Sequence, residues 1–118
     1  MTELVAVLST GKGTWGHVGR LINDGTWDKI VLITNDFGKE NFTNEKGAEM
    51  IVIDNRQPIL ELVEAVKKAL EGKLKGPEVA VNIVSGDGKE HMAVISALLK
   101  SGLAIRFMAL TKEGIKEI

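Results

Sequence analysis

The stretch Val79-Ala80-Val81-Asn82-Ile83-Val84-Ser85-Gly86-Asp87-Gly88-Lys89-Glu90-His91-Met92 carries an apolar strand into a glycine-rich turn and then directly into a helix. The strand part shows little polar alternation, as suits a central parallel strand covered on both faces. Gly86 and Gly88 permit backbone angles that a Cβ would forbid and leave N–H groups uncovered. The helix start adds Lys89 and His91 to the anion preference that free N–H groups and the helix dipole already create. A second stretch of the same kind, Ser9-Thr10-Gly11-Lys12-Gly13-Thr14, follows the first apolar run, Leu4 to Leu8.

Working outward, strands and helices alternate along the chain. Trp15, Val18, Leu21 and Ile22 recur at helical spacing before Asn23-Asp24-Gly25 ends the helix. Lys29 to Ile33 is a second strand, and residues 35–47 read as a short helix or a flap. Glu49 to Ile53 is a third strand. Pro58 opens a helix with an apolar stripe of Ile59, Leu62, Val63, Val66, Ala69 and Leu70, and a wet face on which Glu64 and Lys68 stand four apart. Glu78 to Val84 is the fourth strand. The helix from Lys89 to Lys100 is predicted to turn Met92, Ile95, Leu98 and Leu99 to the core. Leu103 to Ala109 is the fifth strand, and Thr111 to Gly114 forms a tight turn into an antiparallel edge strand at Ile115 to Ile118. Crossovers of ten or more residues require a parallel sheet with helices on both faces. The expected fold is one doubly wound α/β domain over residues 1–118, with strand order 3-2-1-4-5. In that order strands one and four are neighbours at the switch point, and their glycine-rich turns flank one crevice where ligands bind.

The bulk properties narrow the function. The chain has 118 residues, 44% hydrophobic and 26% charged, an ordinary globular balance. A net charge of −1 argues against a broad basic surface for duplex DNA. Without cysteine there is neither disulfide nor thiol chemistry, and His17 and His91 lack metal-ligand spacing, so no metal or cofactor is expected. No apolar run reaches the ~18 residues of a membrane span, and Met1-Thr2-Glu3 lacks a leader pattern, so the expected compartment is the cytoplasm.

Several motifs compete for the crevice. Gly11, Gly13 and Gly16 match G-x-G-x-x-G, and Asp36 stands 20 residues beyond Gly16, which is formally a dinucleotide fingerprint. Against it stand the longer turn made by Ser9-Thr10 and the bulk of Trp15. The spacing of a Walker P-loop is not met. Asp87 and Glu90 also read as a capping box at the start of the helix. Trp15 and Trp27 read as core or subunit-contact residues rather than stacking platforms.

With these residues in view, the sequence resembles the CARF family, the CRISPR-associated Rossmann-fold domains that sense cyclic oligoadenylates in antiviral defence. The resemblance lies in Leu8-Ser9-Thr10-Gly11, in Asn82 to Met92, and in the ending Phe107-Met108-Ala109-Leu110 with Glu113 to Ile118. It implies a Rossmann-like homodimer with the ring-shaped ligand across the two-fold axis. The ligand would meet Ser9, Thr10, Gly11, Lys12, Gly13 and Thr14 of the first turn and Ser85, Gly86, Asp87, Gly88, Lys89 and His91 of the second. Some members of that family also cut the ring slowly and without a metal, by attack of a ribose 2′-hydroxyl on the adjacent phosphate, which makes Ser9, Lys89 and His91 the catalytic candidates. Such a domain with no effector attached is expected to serve as ligand sink, ring nuclease or partner-dependent sensor. A dinucleotide-binding domain and a structural or interaction protein without ligand remain as alternatives.

Overall fold

The computed structural model describes residues 2–118. Six strands form one sheet: β1 (Glu3–Leu8), β2 (Lys29–Thr34), β3 (Glu49–Val52), β4 (Glu78–Asn82), β5 (Ala104–Thr111) and β6 (Gly114–Glu117). Four α-helices connect them: α1 (Trp15–Asp24), α2 (Asp36–Asn41), α3 (Ile59–Leu70) and α4 (Gly88–Lys100). The strand order is β3-β2-β1-β4-β5-β6, parallel throughout except for the antiparallel pair β5–β6. This is the expected Rossmann-like doubly wound sheet with its antiparallel edge. No helix among the described residues is long and apolar enough to cross a membrane.

All six residues of β1 are buried, because its alternate side chains feed two cores. Leu4, Ala6 and Leu8 pack under α1 with Trp15, Val18, Leu21 and Leu32. Val5 and Val7 point the other way, to α3 and α4, with Val31, Ile33, Leu62, Val66, Val81 and Leu98. The sheet therefore holds its centre through apolar burial on both faces, each fully buried Leu or Val contributing about 1.5–3 kcal/mol. Glu3 is buried too; its carboxylate accepts the N–H groups of Lys75 and Gly76 in the turn before β4.

Three local expectations change. β4 ends at Asn82 rather than Val84; there the Asn82 side chain takes over the bonding, its Nδ2 donating to Met108 O and its Oδ1 accepting Val84 N–H. On α4 the expected Leu98 is buried and Ile95 packs against the core, but Met92 and Leu99 are 68% and 58% exposed, and Ala93, Val94 and Ala97 face inward in their place, together with Glu90. Both stripes have helical spacing; the alanines win the inner side because they let α4 lie close to α3 and the sheet. Glu64 and Lys68 form no ion pair, as suits an exposed pair of small worth.

The segment after β2 contains α2, laid over the carboxyl edge of the sheet. Asn35 caps it by accepting Gly38 N–H at 2.8 Å. Gly38 is buried, and a Cβ there would overlap Thr34 Oγ1 and stand 2.9 Å from Leu8 O. Gly16, by contrast, has open space where a Cβ would stand. Gly38→Ala should therefore cost about 1–3 kcal/mol by overpacking. Gly16→Ala should stabilise by about 0.4–1 kcal/mol through lost chain entropy in the unfolded state. Urea denaturation of the two variants checks this; equal effects would contradict the described seat of α2.

Candidate functional site

The turns after β1 and β4 lie side by side at the carboxyl edge, as the strand order requires, and they are bonded to each other. Gly86 N–H donates to Thr10 O at 3.0 Å, Ser85 Oγ donates to Thr10 O at 3.3 Å, and Ser9 N–H donates to Ser85 Oγ at 3.1 Å. Beneath them lies Glu90, fully buried. Its Oε1 accepts Ser9 Oγ–H at 2.6 Å and Asp87 N–H at 3.0 Å, and Asp87 Oδ1 accepts Glu90 N–H at 2.8 Å. The capping box read from the sequence is present, and one of its two carboxylates also fastens the neighbouring turn. Glu90 Oε2 is the buried side-chain oxygen left without a partner among the described residues.

Glycine is demanded at two positions of the pair. Gly11 has φ +82°. Gly86 has φ +101°, and a Cβ there would stand 2.7 Å from Val7 Cγ1 and 2.9 Å from Glu90 Oε1. Gly13, Gly16 and Gly88 have ordinary angles and nothing within 4 Å of a Cβ. Two of the three fingerprint glycines thus have no packing role of the kind a dinucleotide fold needs.

The remaining residues named from the sequence fall into two groups. Thr10, Gly11, Lys12, Gly13 and Gly88 are exposed at the surface, with Thr14 half-buried and bonded to Gly11 O through its hydroxyl. The N–H groups of Gly11, Lys12, Gly13, Gly88 and Lys89 have no acceptor among the described residues. Ser9 and Ser85 are buried. His91 is half-buried and its Nε2 lies 2.8 Å from Ser85 O, the geometry of an Nε2–H donor to that carbonyl. Lys89 Nζ donates to Asn55 O at 2.8 Å, and Asn55 Nδ2 donates to Asp87 Oδ2 at 3.3 Å. Ser9, Lys89 and His91, the catalytic candidates, thus all engage protein partners.

Sequence reasoning did not anticipate the part played by the β3–α3 loop. Its Asn55 joins the α4 start, and Arg56 forks onto Asp54 at 2.9 and 3.0 Å. The hydrogen bond from the Arg56 guanidinium holds the Asp54 carboxyl down at about 2. On the other flank, Lys12 Nζ stands 5.8 Å from the ring centroids of both Trp15 and Phe37. Trp15 itself is buried, with Nε1 donating to Ser9 O at 3.0 Å, so it supports the first turn from below. His17 lies apart, its Nε2 accepting Leu110 N–H at 3.3 Å, with Asn82 Nδ2 at 3.2 Å. No group of three or more metal-ligating side chains occurs among the described residues.

A hollow of about 310 Å³ opens at the opposite, amino edge of the sheet, lined by Trp27, Glu78, Arg106 and Met108 among others. Its one guanidinium is consumed by Glu78 and Glu117, so it offers little charge to a ligand. The carboxyl edge has the uncommitted donors.

Removal of the Glu90 carboxylate strands both the Ser9 hydroxyl and the Asp87 N–H. Each stranded buried group costs about 1–3 kcal/mol. Glu90→Ala should therefore destabilise by roughly 2–6 kcal/mol, against about 1 kcal/mol for loss of the cap in Asp87→Ala. Urea unfolding separates the two; a Glu90→Ala cost no larger than that of Asp87→Ala would show that Glu90 is only a cap. A comparison with protein-family models gives no match, and a comparison with curated proteins gives none either.

Proposed function

We propose that this chain is a nucleotide sensor domain of CARF type that binds cyclic oligoadenylate through the turns after β1 and β4. One observation carries the reading: two glycine turns, bonded to each other at the switch point, turn the free N–H groups of Gly11 to Gly13 and of Gly88 and Lys89 to one edge. Such N–H clusters favour phosphate oxygens, and the α4 dipole adds to them. Lys12 and Lys89 supply the countercharge. An ammonium has three donors, and Lys89 gives one to Asn55 O, which leaves two for a ligand. Asp87 repels phosphate less than its charge implies, because both of its oxygens are already hydrogen-bonded.

Binding takes precedence over cleavage in this reading. In-line attack would form a bond from the ribose 2′-oxygen to phosphorus and break the bond to the 5′-oxygen, with one proton removed and one delivered. His91 is the side chain of the second turn with a ring nitrogen to serve that transfer, and it would first have to leave Ser85 O. Ser9 is buried against Glu90 and acts here as a positioning residue that holds the turn.

The reading includes a homodimer. Met92 and Leu99, two helical turns apart on α4, leave an apolar stripe in water, and Phe107 of β5 is 38% exposed on the same face of the sheet. A ring ligand with two-fold symmetry would meet one pair of turns from each copy across that axis.

Thermal-shift titration with cyclic tetra- and hexa-adenylate, cyclic dinucleotides and NAD tests the proposal. The expected ligand is a cyclic oligoadenylate, adding about 2.7 kcal/mol at 100 times its dissociation constant. Lys89→Ala should weaken it roughly tenfold to a hundredfold, since a charge-assisted hydrogen bond is worth ~1.5–3 kcal/mol, and added salt should weaken it further. Stabilisation by NAD alone, lost in Asp36→Ala, would replace this reading with the dinucleotide one.

A further inference from the structure

We infer that β3 is a docking edge: an extended peptide of a partner protein adds to it as a further strand, with apolar side chains in the groove beside α3 and a lysine or arginine at Asp36. The sheet has two outer strands, β3 and β6. Outer strands are commonly guarded by charge, and β6 carries Lys116 and Glu117. The single charge of β3 is Glu49 at its amino end, which is tied to Lys29 and Lys73. Met50, Ile51 and Val52 follow without a charged side chain, and Val52 is 38% exposed.

The main chain of this edge has room for a partner. Ile53 N–H donates to Thr34 O at 2.8 Å, so Ile51 and Ile53 turn their main-chain groups to β2. Successive residues of a strand face opposite ways, and Met50 and Val52 therefore turn theirs outward. Among the described residues β3 pairs with β2 alone, and no loop bonds the main chain of Met50 or Val52. An added strand satisfies just such outward N–H and C=O groups.

A groove of about 630 Å³ runs along the same strand, with Ile51 to Ile53 on one side and Ala65 and Ala69 of α3 on the other. The two alanines stand four apart on one face of the helix, and their short side chains keep the wall back from the strand. Alternate side chains of an added strand would fill that space. No residue of either glycine turn lines the groove, so it is separate from the phosphate site.

Charge selects the occupant. Asp36, Asp54 and Arg56 stand at the carboxyl end of the groove. Arg56 is bonded to Asp54, and Asp36 enters no ion pair among the described residues. Two carboxylates against one guanidinium leave a negative charge that a basic side chain of the peptide answers. A second copy fits less well. Its β3, paired antiparallel, would bring Glu49 of each copy to the acidic end of the other's groove.

Selection of random heptapeptides, displayed on phage, against the wild-type protein tests the inference. Enriched sequences should alternate apolar and polar residues and carry a lysine or arginine at one end. A synthetic copy of the strongest should bind Val52→Pro about 2- to 13-fold more weakly than wild type, through loss of one main-chain hydrogen bond. Val52→Thr keeps the N–H and should bind like wild type. Asp36→Lys should weaken binding too, and exchange of the peptide's basic residue for glutamate should restore it. Of two synthetic copies N-methylated on alternate sets of residues, one should fail to bind wild type and the other should bind; this arm holds even where Val52→Pro does not fold. No enrichment, equal binding to wild type and folded Val52→Pro, or equal binding of the two N-methylated copies would overturn the docking edge. A wild-type dimer that Val52→Pro splits, seen by light scattering, would overturn the peptide as occupant and put a second copy in its place.

Discussion

The carboxylate of Glu90 is the constraint on which the carboxyl edge depends. It is buried beneath two loops that come from opposite ends of the sequence. It accepts the Ser9 hydroxyl from one and the Asp87 N–H from the other. Burial makes these bonds count: in a dry site a lost partner strands a polar group, whereas at the surface water would replace it. The arrangement also fixes Gly86, since any side chain there would collide with the carboxylate or with Val7. One side chain thus converts two separate turns into a single rigid rim. Under the proposed reading, a rim already built before any ligand arrives would take up an anion with little ordering cost.

Rigidity extends sideways from that rim. Trp15 props the first turn from below, Asn55 ties the second to the β3–α3 loop, and α2 seats Gly38 directly over Leu8 O. The carboxyl edge is therefore built from four successive connections, of which only two bear the glycine pattern. At the amino edge the buried Glu3 carboxylate ties the turn before β4, and Arg106 of the hollow there is neutralised by Glu78 and Glu117.

Much of this was legible in the sequence. Apolar runs without alternation, separated by helical stripes, specify a parallel sheet, and Gly114 after Lys112-Glu113 marks the final hairpin. The two glycine turns were visible as a pair because strand order alone makes them neighbours. What stayed hidden depended on tertiary contacts. Glu90 is fully accounted for by a local capping box, so nothing local signals its bond to a serine 81 positions away. The two stripes of α4 have the same periodicity, and only the space available between helix and sheet selects alanines over Met92 and Leu99. Gly38 looked like one more glycine in a polar segment until its neighbour proved to be a strand carbonyl. The CARF resemblance rests on the turn motifs and the closing hairpin.

The central claim is that the two turns act as one phosphate site. Amide NMR of the uniformly ¹⁵N-labelled protein, titrated with cyclic tetra-adenylate, tests it most directly. The account predicts that the amides of Gly11, Lys12 and Gly13 and those of Gly88 and Lys89 shift together, with one dissociation constant. Shifts confined to a single turn, or found at the amino edge around Arg106, would contradict it.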